Sequence, residues 1–194
     1  MSEVLSVCVY CGASSSVPEE YKEAAYQLGT QIAQGGLRLI YGGGNVGLMG
    51  ITADAALKAG GEAVGVIPGH LKDVEPQHDN LTELHVVDSM HTRKNKMVEL
   101  SDAFIVMPGG LGTLDETFEI LTWKYLNLHD KAVVIVNIDG YWDPLIRLID
   151  NMIETGFARE DDYRLFSVVN KVEDIFVALL KEPEQHIEPN LERL

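Results

Sequence analysis

Basic residues are scarce in this sequence. Its 194 residues include 15 Lys and Arg against 30 Asp and Glu, so the formal net charge is −15 at pH 7. Sequence-independent binding to nucleic acid requires an excess of Lys and Arg, and an anionic membrane surface attracts basic segments for the same reason. We therefore expect no nucleic acid and no membrane among the partners of this protein.

Long apolar runs are also missing. No stretch of the sequence approaches the roughly 18 apolar residues that a membrane span requires. The first residues, MSEV, have neither the basic region nor the apolar run of a secretory signal peptide. Together these absences predict a cytoplasmic protein.

Cysteine is rare, and the two that occur, Cys8 and Cys11, form a CxxC pair. Thioredoxin-type pairs lie at a helix N-terminus, whereas Cys8 lies inside the apolar run 4–10, which predicts a strand. A zinc site needs further Cys or His ligands at suitable spacing, and the six histidines are dispersed along the chain. We predict reduced, structural thiols and no metal.

Short apolar runs alternate with helical patterns along the whole chain. The predicted strands are 4–10, 37–41, 63–67, 81–87, 102–107, 131–138 and 165–168. The predicted helices are 18–34, 47–59, 89–100, 113–128, 144–154 and 171–180. Strands that are apolar on both faces, separated by helices, are typical of a parallel sheet covered on both sides. The sequence thus predicts one doubly wound, Rossmann-like α/β domain over residues 1–194, with the last dozen residues frayed and ligands at the carboxyl ends of the strands.

The first glycine-rich loop, residues 42–47, has the spacing GxGxxG between a predicted strand and a predicted helix. Glycine lets the backbone approach a phosphate, and the helix N-terminus supplies N–H donors, so we expect ligand contacts at Gly43 and Gly44. Glycines needed only for a tight turn are the alternative. A dinucleotide site also needs an acid about 20 residues later at the end of the next strand. The nearest acids, Asp73 and Glu75, follow that strand too late, which disfavours an NAD-dependent enzyme.

The second glycine-rich loop, PGGLGTLDE at 108–116, follows the predicted strand 102–107 and leads into a helix. Its glycines and the Thr after them are typical of an anion cradle made of backbone amides. No Lys follows the glycines, so this is not a Walker A loop. Taken alone, the spacing of Thr113 and Glu116 also fits a capping box, which would give Glu116 a structural role.

A small basic island, Arg93, Lys94 and Lys96, lies in the acid-free window between Asp88 and Glu99. Local positive charge in an acidic protein indicates an anion site, and a solvated helix face is the alternative. The island follows a predicted strand, which places it near the same carboxyl edge of the sheet. Arginine can bind a phosphate or a carboxylate through two parallel hydrogen bonds.

Three segments together, GGGNVGLMG at 42–50, MHTRK at 90–94 and PGGLGTLDE at 108–116, resemble the Lonely Guy (LOG) family. Members of that family hydrolyse cytokinin riboside 5′-monophosphates, and often AMP, to the free base and ribose 5-phosphate. The resemblance spans nearly the whole chain and implies a catalytic pair, Arg93 and Glu116. It also implies nucleotide contacts at Glu75, Lys94, Gly109, Gly110, Leu111, Gly112, Thr113, Leu114, Asp115, Glu116 and Thr122. Such sequences have been labelled lysine decarboxylases, but no pyridoxal-phosphate site with its Schiff-base lysine is recognisable, and we expect no cofactor.

The predicted reaction is attack of water on the N-glycosidic bond of a purine nucleoside 5′-monophosphate. A carboxylate stabilises the oxocarbenium character that develops on the ribose. With Glu116 in the first turn of a helix and close to a cation, we expect it to be ionised at neutral pH and a poor general acid. A non-catalytic nucleotide sensor or molybdenum-cofactor carrier of related fold is the competing hypothesis.

The predicted helix 113–128 is apolar on more than one stripe. Such a helix is buried on several sides. We therefore expect a homodimer that packs through this helix, and burial inside the monomer is the alternative.

Overall fold

The computed structural model describes residues 4–72, 78 and 80–180. Seven strands form the sheet: β1 (Ser6–Tyr10), β2 (Arg38–Tyr41), β3 (Glu62–Pro68), β4 (Glu83–Val87), β5 (Ala103–Val106), β6 (Ala132–Val136) and β7 (Ser167–Val169). Within the described residues, seven α-helices accompany the strands: α1 (Glu19–Gln34), α2 (Gly47–Lys58), α3 (Gly69–Lys72), α4 (Met90–Glu99), α5 (Leu111–Tyr125), α6 (Asp143–Glu154) and α7 (Ile175–Leu179). None of the described helices combines the length and apolar character that crossing a bilayer requires.

The sheet is parallel throughout, in the order β4-β3-β2-β1-β5-β6-β7. The predicted doubly wound α/β fold is confirmed. The chain builds outward from β1 to β4, returns to β5 beside β1 and then builds outward on the other side. This reversal opens a crevice at the carboxyl ends of β1 and β5, which is where ligands bind in such sheets.

Two apolar clusters cover the two faces of the sheet, and β1 contributes to both. Val7 and Val9 pack with α1, α2 and α7, whereas Cys8 and Tyr10 pack with α5 and α6 on the other face. Cys11 belongs to the first cluster, so the two thiols lie in different clusters, and both are free and buried. Burial raises the pKa of each thiol above its ordinary value, which keeps both in the neutral form.

Most predicted elements are present, with ends shifted by one or two residues. Shifts of this size are usual where the ends of helices and strands are assigned. The short helix α3 was not predicted, and the predicted helix 171–180 begins as a 3₁₀ turn over Val172–Asp174 before α7. The segment 181–194, which includes the residues predicted to be frayed, lies outside the described residues.

The start of α5 differs from the prediction in a way that concerns function. The helix begins at Leu111 with Gly110 as its N-cap, because the Leu114 N–H already donates to the Gly110 carbonyl at 3.0 Å. The capping box, which was the alternative interpretation of Glu116, is therefore excluded: Thr113 is the third helical residue, and Glu116 lies in the second turn. The helix ends at Tyr125, where Asn127 takes a left-handed conformation (φ 56°).

Candidate active site

Three loops meet at the carboxyl edge, and Gly12 joins them. Its N–H donates to the Pro108 carbonyl at 3.0 Å, and its own carbonyl accepts from the Leu48 N–H at 2.9 Å. The loop after β1 therefore bridges the two glycine-rich loops that follow β5 and β2. We did not predict this role for Gly12, although its position two residues after the central strand β1 could have indicated it.

Gly47 shows why the first glycine-rich loop needs glycine. It has φ +64°, and a β-carbon there would overlap the backbone of Ala13. Gly43 is also left-handed (φ +78°), and a β-carbon at Gly43 would contact Ile67 and Gly65. At Gly44, a β-carbon would contact the Met49 side chain at 3.0 Å. Turn geometry and close packing thus account for these glycines, while the ligand contacts predicted at Gly43 and Gly44 stay a prediction.

The second glycine-rich loop faces open space. A β-carbon added at Gly110 or Gly112 would meet no atom within 4 Å, whereas one at Gly109 would overlap the Thr113 hydroxyl. The first N–H groups of a helix have no partner inside the helix, and its N-terminus carries a partial positive charge. Residues 110–112 thus form an open cradle with N–H donors, suited to an anion such as a phosphate.

Arg93 is buried behind this edge and is held by two carbonyls. Its Nε donates to the Val66 carbonyl at 3.0 Å, and its Nη2 donates to the Gly42 carbonyl at 2.9 Å. A β-carbon at Gly42 would overlap Nη2, so any larger residue there must displace the guanidinium. No described carboxylate forms an ion pair with Arg93, and its positive charge is available to an anionic ligand or transition state.

Lys94, the next residue, has a different environment. Its buried ammonium lies 3.1 Å from an Asp115 carboxylate oxygen and 3.0 Å from a Glu119 carboxylate oxygen, both on α5. Burial lowers the pKa of Lys94, but hydrogen bonds to Glu119 and Asp115 outweigh it and raise the pKa above its ordinary value. The structure thus pairs two predicted substrate contacts, Lys94 and Asp115, with each other. Glu119 was not predicted, although its i, i+4 spacing from Asp115 was a usable signal.

The environment of Glu116 overturns one expectation. Burial raises the pKa of its carboxyl group to about 7; Arg93 and Lys94 oppose that shift, and Asp115 and Glu119 add to it. The expected full ionisation at neutral pH is therefore wrong, because desolvation outweighs the nearby cations and the helix start lies one turn away. Glu116 therefore binds a proton much more readily than an ordinary carboxyl group.

The basic island is not a solvated helix face at its two central positions, since Arg93 and Lys94 are both buried. Lys96 is more exposed and pairs with Glu99 within the same helix. Thr122 lies on the exposed surface of α5, two turns beyond Asp115. Glu75 lies outside the described residues. Within the described ranges, no group of three His, Cys, Asp or Glu side chains is arranged to hold a metal ion.

Comparisons with known proteins identify the family of this chain. A family model described as possible lysine decarboxylase matches residues 49–179. The chain is 50% identical to the cytokinin riboside 5′-monophosphate phosphoribohydrolase of Rhodococcoides fascians over 153 residues, which are 78% of this chain and 77% of that protein. It is 41% identical to the probable cytokinin riboside 5′-monophosphate phosphoribohydrolase LOGL5 of Oryza sativa subsp. japonica, over 94% of this chain and 73% of that protein.

Among solved structures, a molybdenum cofactor binding protein from the phototrophic bacterium Rippkaea orientalis is similar, with a TM-score of 0.68 and 25% identity. The match covers 91% of this chain and 96% of that protein, and it supports the fold. The family model and the sequence relatives go further, because each spans more than half of the chain and the relatives are 41% and 50% identical to it. The chain belongs to the LOG family.

Proposed function

We propose that this protein is a phosphoribohydrolase that cleaves the N-glycosidic bond of purine nucleoside 5′-monophosphates, releasing the free base and ribose 5-phosphate. The observation that carries the proposal is the open cradle at residues 110–112 on the helix that also holds Glu116, whose carboxyl interacts with the charge of buried Arg93. The names of the LOG-family relatives, cytokinin riboside 5′-monophosphate phosphoribohydrolases, support the same reaction.

Each group has a defined part in this reaction. The N–H groups of the cradle bind the 5′-phosphate, and the positive end of α5 strengthens that contact. Arg93 supplies a fixed positive charge behind the site. The ionised carboxylate of Glu116 stabilises the oxocarbenium character on the ribose and accepts a proton from the attacking water. The water oxygen bonds to C1′, while the purine nitrogen takes the electron pair of the broken bond and a proton from solvent.

The remaining substrate contacts belong to the same proposal. Asp115 and Thr122 lie near each other along the exposed side of α5, and Asp115 stays largely exposed despite its pairing with Lys94. That side of α5 starts at the cradle, so these groups are suited to the ribose and the base. We assign Lys94 an indirect part, since both carboxylates around it already use its charge.

The test compares the wild type with Glu116→Ala and Arg93→Ala. Release of free base from AMP and from isopentenyladenosine monophosphate is followed by chromatography. We expect each variant to lose about 10²-fold or more in rate, as for a positioned catalytic group. Matched controls are Glu154→Ala and Arg147→Ala, two exposed residues of α6. Wild-type rates in both site variants, with folding intact, would overturn the assignment.

A carrier without catalysis is the second candidate, because the Rippkaea orientalis protein of similar fold is described as a molybdenum cofactor binding protein. A carrier uses the glycine-rich loops but does not need Arg93 and Glu116 together. Incubation of the wild-type protein with AMP separates the two candidates: adenine release supports the hydrolase, and AMP recovered intact supports the carrier.

The decarboxylase description of the family model has no support from the lysines at this edge. A Schiff-base lysine must react as the neutral amine. Lys94 has the opposite tendency, because two carboxylates hold it protonated. Burial does lower the pKa of Lys124, but that residue lies in the last turn of α5, which is far from the cradle at the first turn.

The homodimer is also part of the proposal. Three apolar side chains beyond the cradle, on or just after α5, are exposed, and we call them the α5 apolar face: Phe118, Leu126 and Leu128. The core-facing side of the same helix, with Thr117 and Ile120, is buried within the monomer. Exposed apolar patches of this kind mark interaction sites, so a second copy of this chain is the proposed partner. The two buried, reduced thiols are consistent with a cytoplasmic location.

A further inference from the structure

Tyr141 reaches the second glycine-rich loop from a distant part of the chain. Its hydroxyl donates to the Gly109 carbonyl at 2.7 Å, across 32 residues of sequence. Tyr141 lies in the loop between β6 and α6, whereas Gly109 lies between β5 and α5. The site residues named above do not include Tyr141, although Gly109 directly precedes the cradle.

The loop that carries Tyr141 has a defined and unusual shape. Asp139 (φ 50°) and Gly140 (φ 72°) are consecutive residues in the left-handed region, which is costly for a residue other than glycine. The Asn137 side chain holds this shape: its amide nitrogen donates to Asp143 at 2.8 Å, and its oxygen accepts from the Trp142 N–H at 2.7 Å. Because such a conformation persists only where its surroundings impose it, the direction of Tyr141 is well determined.

Two aromatic neighbours hold the ring of Tyr141. Tyr21 approaches it edge-on with a centroid distance of 5.5 Å, and Trp142 does so at 4.8 Å. Edge-to-face contacts at these distances are favourable. The hydroxyl is thus presented to Gly109 by a ring that is held on two sides.

A fixed carbonyl at Gly109 also fixes the N–H of Gly110. The two groups belong to one planar peptide unit and point in opposite directions across it. Thr113 packs against the α-carbon side of Gly109, so two contacts confine the peptide at its Gly109 end. When Tyr141 binds the carbonyl, the Gly110 N–H must point away from Tyr141, at the residue where the open cradle begins.

We propose that Tyr141 is a positioning residue for the phosphate site, acting through the 109–110 peptide. This inference rests on the proposed function, since it takes the cradle at 110–112 to be the site of the 5′-phosphate. Without the Tyr141 hydroxyl, the peptide can rotate, and the Gly110 N–H is no longer held ready for the phosphate before binding.

The experiment compares the wild type, Tyr141→Phe and Tyr21→Phe. The Tyr141→Phe change removes only the hydroxyl and keeps both ring contacts, and thermal unfolding checks that the variant is folded. Tyr21→Phe removes a hydroxyl from the same aromatic cluster without a bond to the loop. Calorimetric titration with ribose 5-phosphate gives Kd for each protein, and steady-state kinetics with AMP give KM and kcat separately.

We expect Tyr141→Phe to weaken ribose 5-phosphate binding by about three- to tenfold, the usual effect of one lost hydrogen bond. KM for AMP should rise by a similar factor with kcat within about twofold of the wild type, and Tyr21→Phe should match the wild type. A Tyr141→Phe variant that melts earlier but keeps the wild-type Kd and KM would show a merely structural role and overturn the proposal.

The two hypotheses fail in different ways. If the wild type binds ribose 5-phosphate and the Tyr141→Phe change weakens that binding, but no base is released from any nucleotide, the positioning role stands and the hydrolase does not. If base is released and Tyr141→Phe binds as the wild type does, the reverse holds. A wild type that binds no ribose 5-phosphate at millimolar concentration overturns both.

Discussion

The Arg93 guanidinium donates to the Gly42 carbonyl oxygen at 2.9 Å, and the α-carbon of Gly42 lies so close that a β-carbon would overlap the same nitrogen. The two residues are 51 positions apart in sequence, on α4 and at the end of β2. The first glycine-rich loop therefore shapes the site in a second way, because it leaves room for the buried Arg93 guanidinium.

The first prediction concerns Gly42→Ala. The added methyl group displaces Arg93 from the Gly42 carbonyl, and a misplacement of about 1 Å near a reacting centre can cost about 10²-fold in rate. We expect a loss of that order in kcat/KM for AMP. The matched control is Gly69→Ala at the same edge of the sheet, where a β-carbon meets Val86 and Val87 at an ordinary 3.8 Å. Equal kinetics for the two variants would contradict the role given to Gly42.

The second prediction is a pH dependence of activity. Because burial raises the pKa of Glu116 to about 7, the ionised form grows as pH rises through neutrality. We expect kcat/KM for AMP to rise with pH, with a midpoint near 7 in the free enzyme. The pH profile, measured over a range in which the protein stays folded, checks this. A rate that falls through the same midpoint would mean that the protonated carboxyl acts as a general acid.

The third prediction links the same group to stability. The carboxyl of Glu116 binds a proton more readily in the folded chain, at about pH 7, than at its ordinary value of 4.5. Below the ordinary value it is protonated in both states, and above 7 the folded state carries the full cost of a partly desolvated charge. The free energy of unfolding of the wild type should therefore fall, relative to Glu116→Gln, between pH 5 and pH 8.

Urea unfolding of both proteins at the two pH values measures that change. Glu154→Gln, at an exposed position on α6, is the control and should keep a constant difference from the wild type. A pH-independent difference between Glu116→Gln and the wild type would show that burial does not perturb the carboxyl.

The fourth prediction concerns Lys94→Met. The Lys94 charge lowers the pKa of Glu116, and its loss also leaves Asp115 and Glu119 without their shared cation. Both effects favour the protonated form of Glu116, so the midpoint of the activity profile should move to higher pH. Lys96→Met is the control. Lys96 lies on the same helix but pairs with exposed Glu99, so this variant should leave the midpoint of the activity profile unchanged. An unchanged midpoint in Lys94→Met would show that its charge does not reach Glu116.

The fifth prediction tests assembly. Phe118 is exposed on the α5 apolar face, and a charge there should prevent two copies from packing. Light scattering at micromolar concentration should give twice 21.4 kDa for the wild type and 21.4 kDa for Phe118→Glu. The control is Val177→Glu. Val177 is exposed on α7, which packs on the other face of the sheet, so this variant should have the same mass as the wild type. A wild-type mass of 21.4 kDa would rule the dimer out.

Much of the fold could be predicted from local sequence patterns. The apolar runs predicted all seven strands of the sheet, and the glycine-rich loops predicted where α2 and, within two residues, α5 begin. The carboxyl edge follows from the parallel βα order alone. Those features are determined by residues that are neighbours in sequence, so no knowledge of distant contacts is needed.

The electrostatics of the site could not be predicted in the same way. The sequence singled out Arg93 and Lys94 as site residues. It did not show that Arg93 would contact two carbonyls and Lys94 two carboxylates. The ionisation of Glu116 was mispredicted because its desolvation depends on packing from several elements at once. A charge count along the chain contains no information about burial.

By itself, then, the sequence determined the doubly wound sheet, the two glycine-rich loops and the family to which the chain belongs. Only the tertiary structure decided that Gly12 bridges those loops, that Gly42 makes room for Arg93, and that Tyr141 reaches Gly109. The physical reason is the distance along the chain over which each effect operates. Periodicity and turn chemistry depend on residues that are neighbours in sequence. Close approach, desolvation and hydrogen bonding act between residues that only the folded sheet brings together.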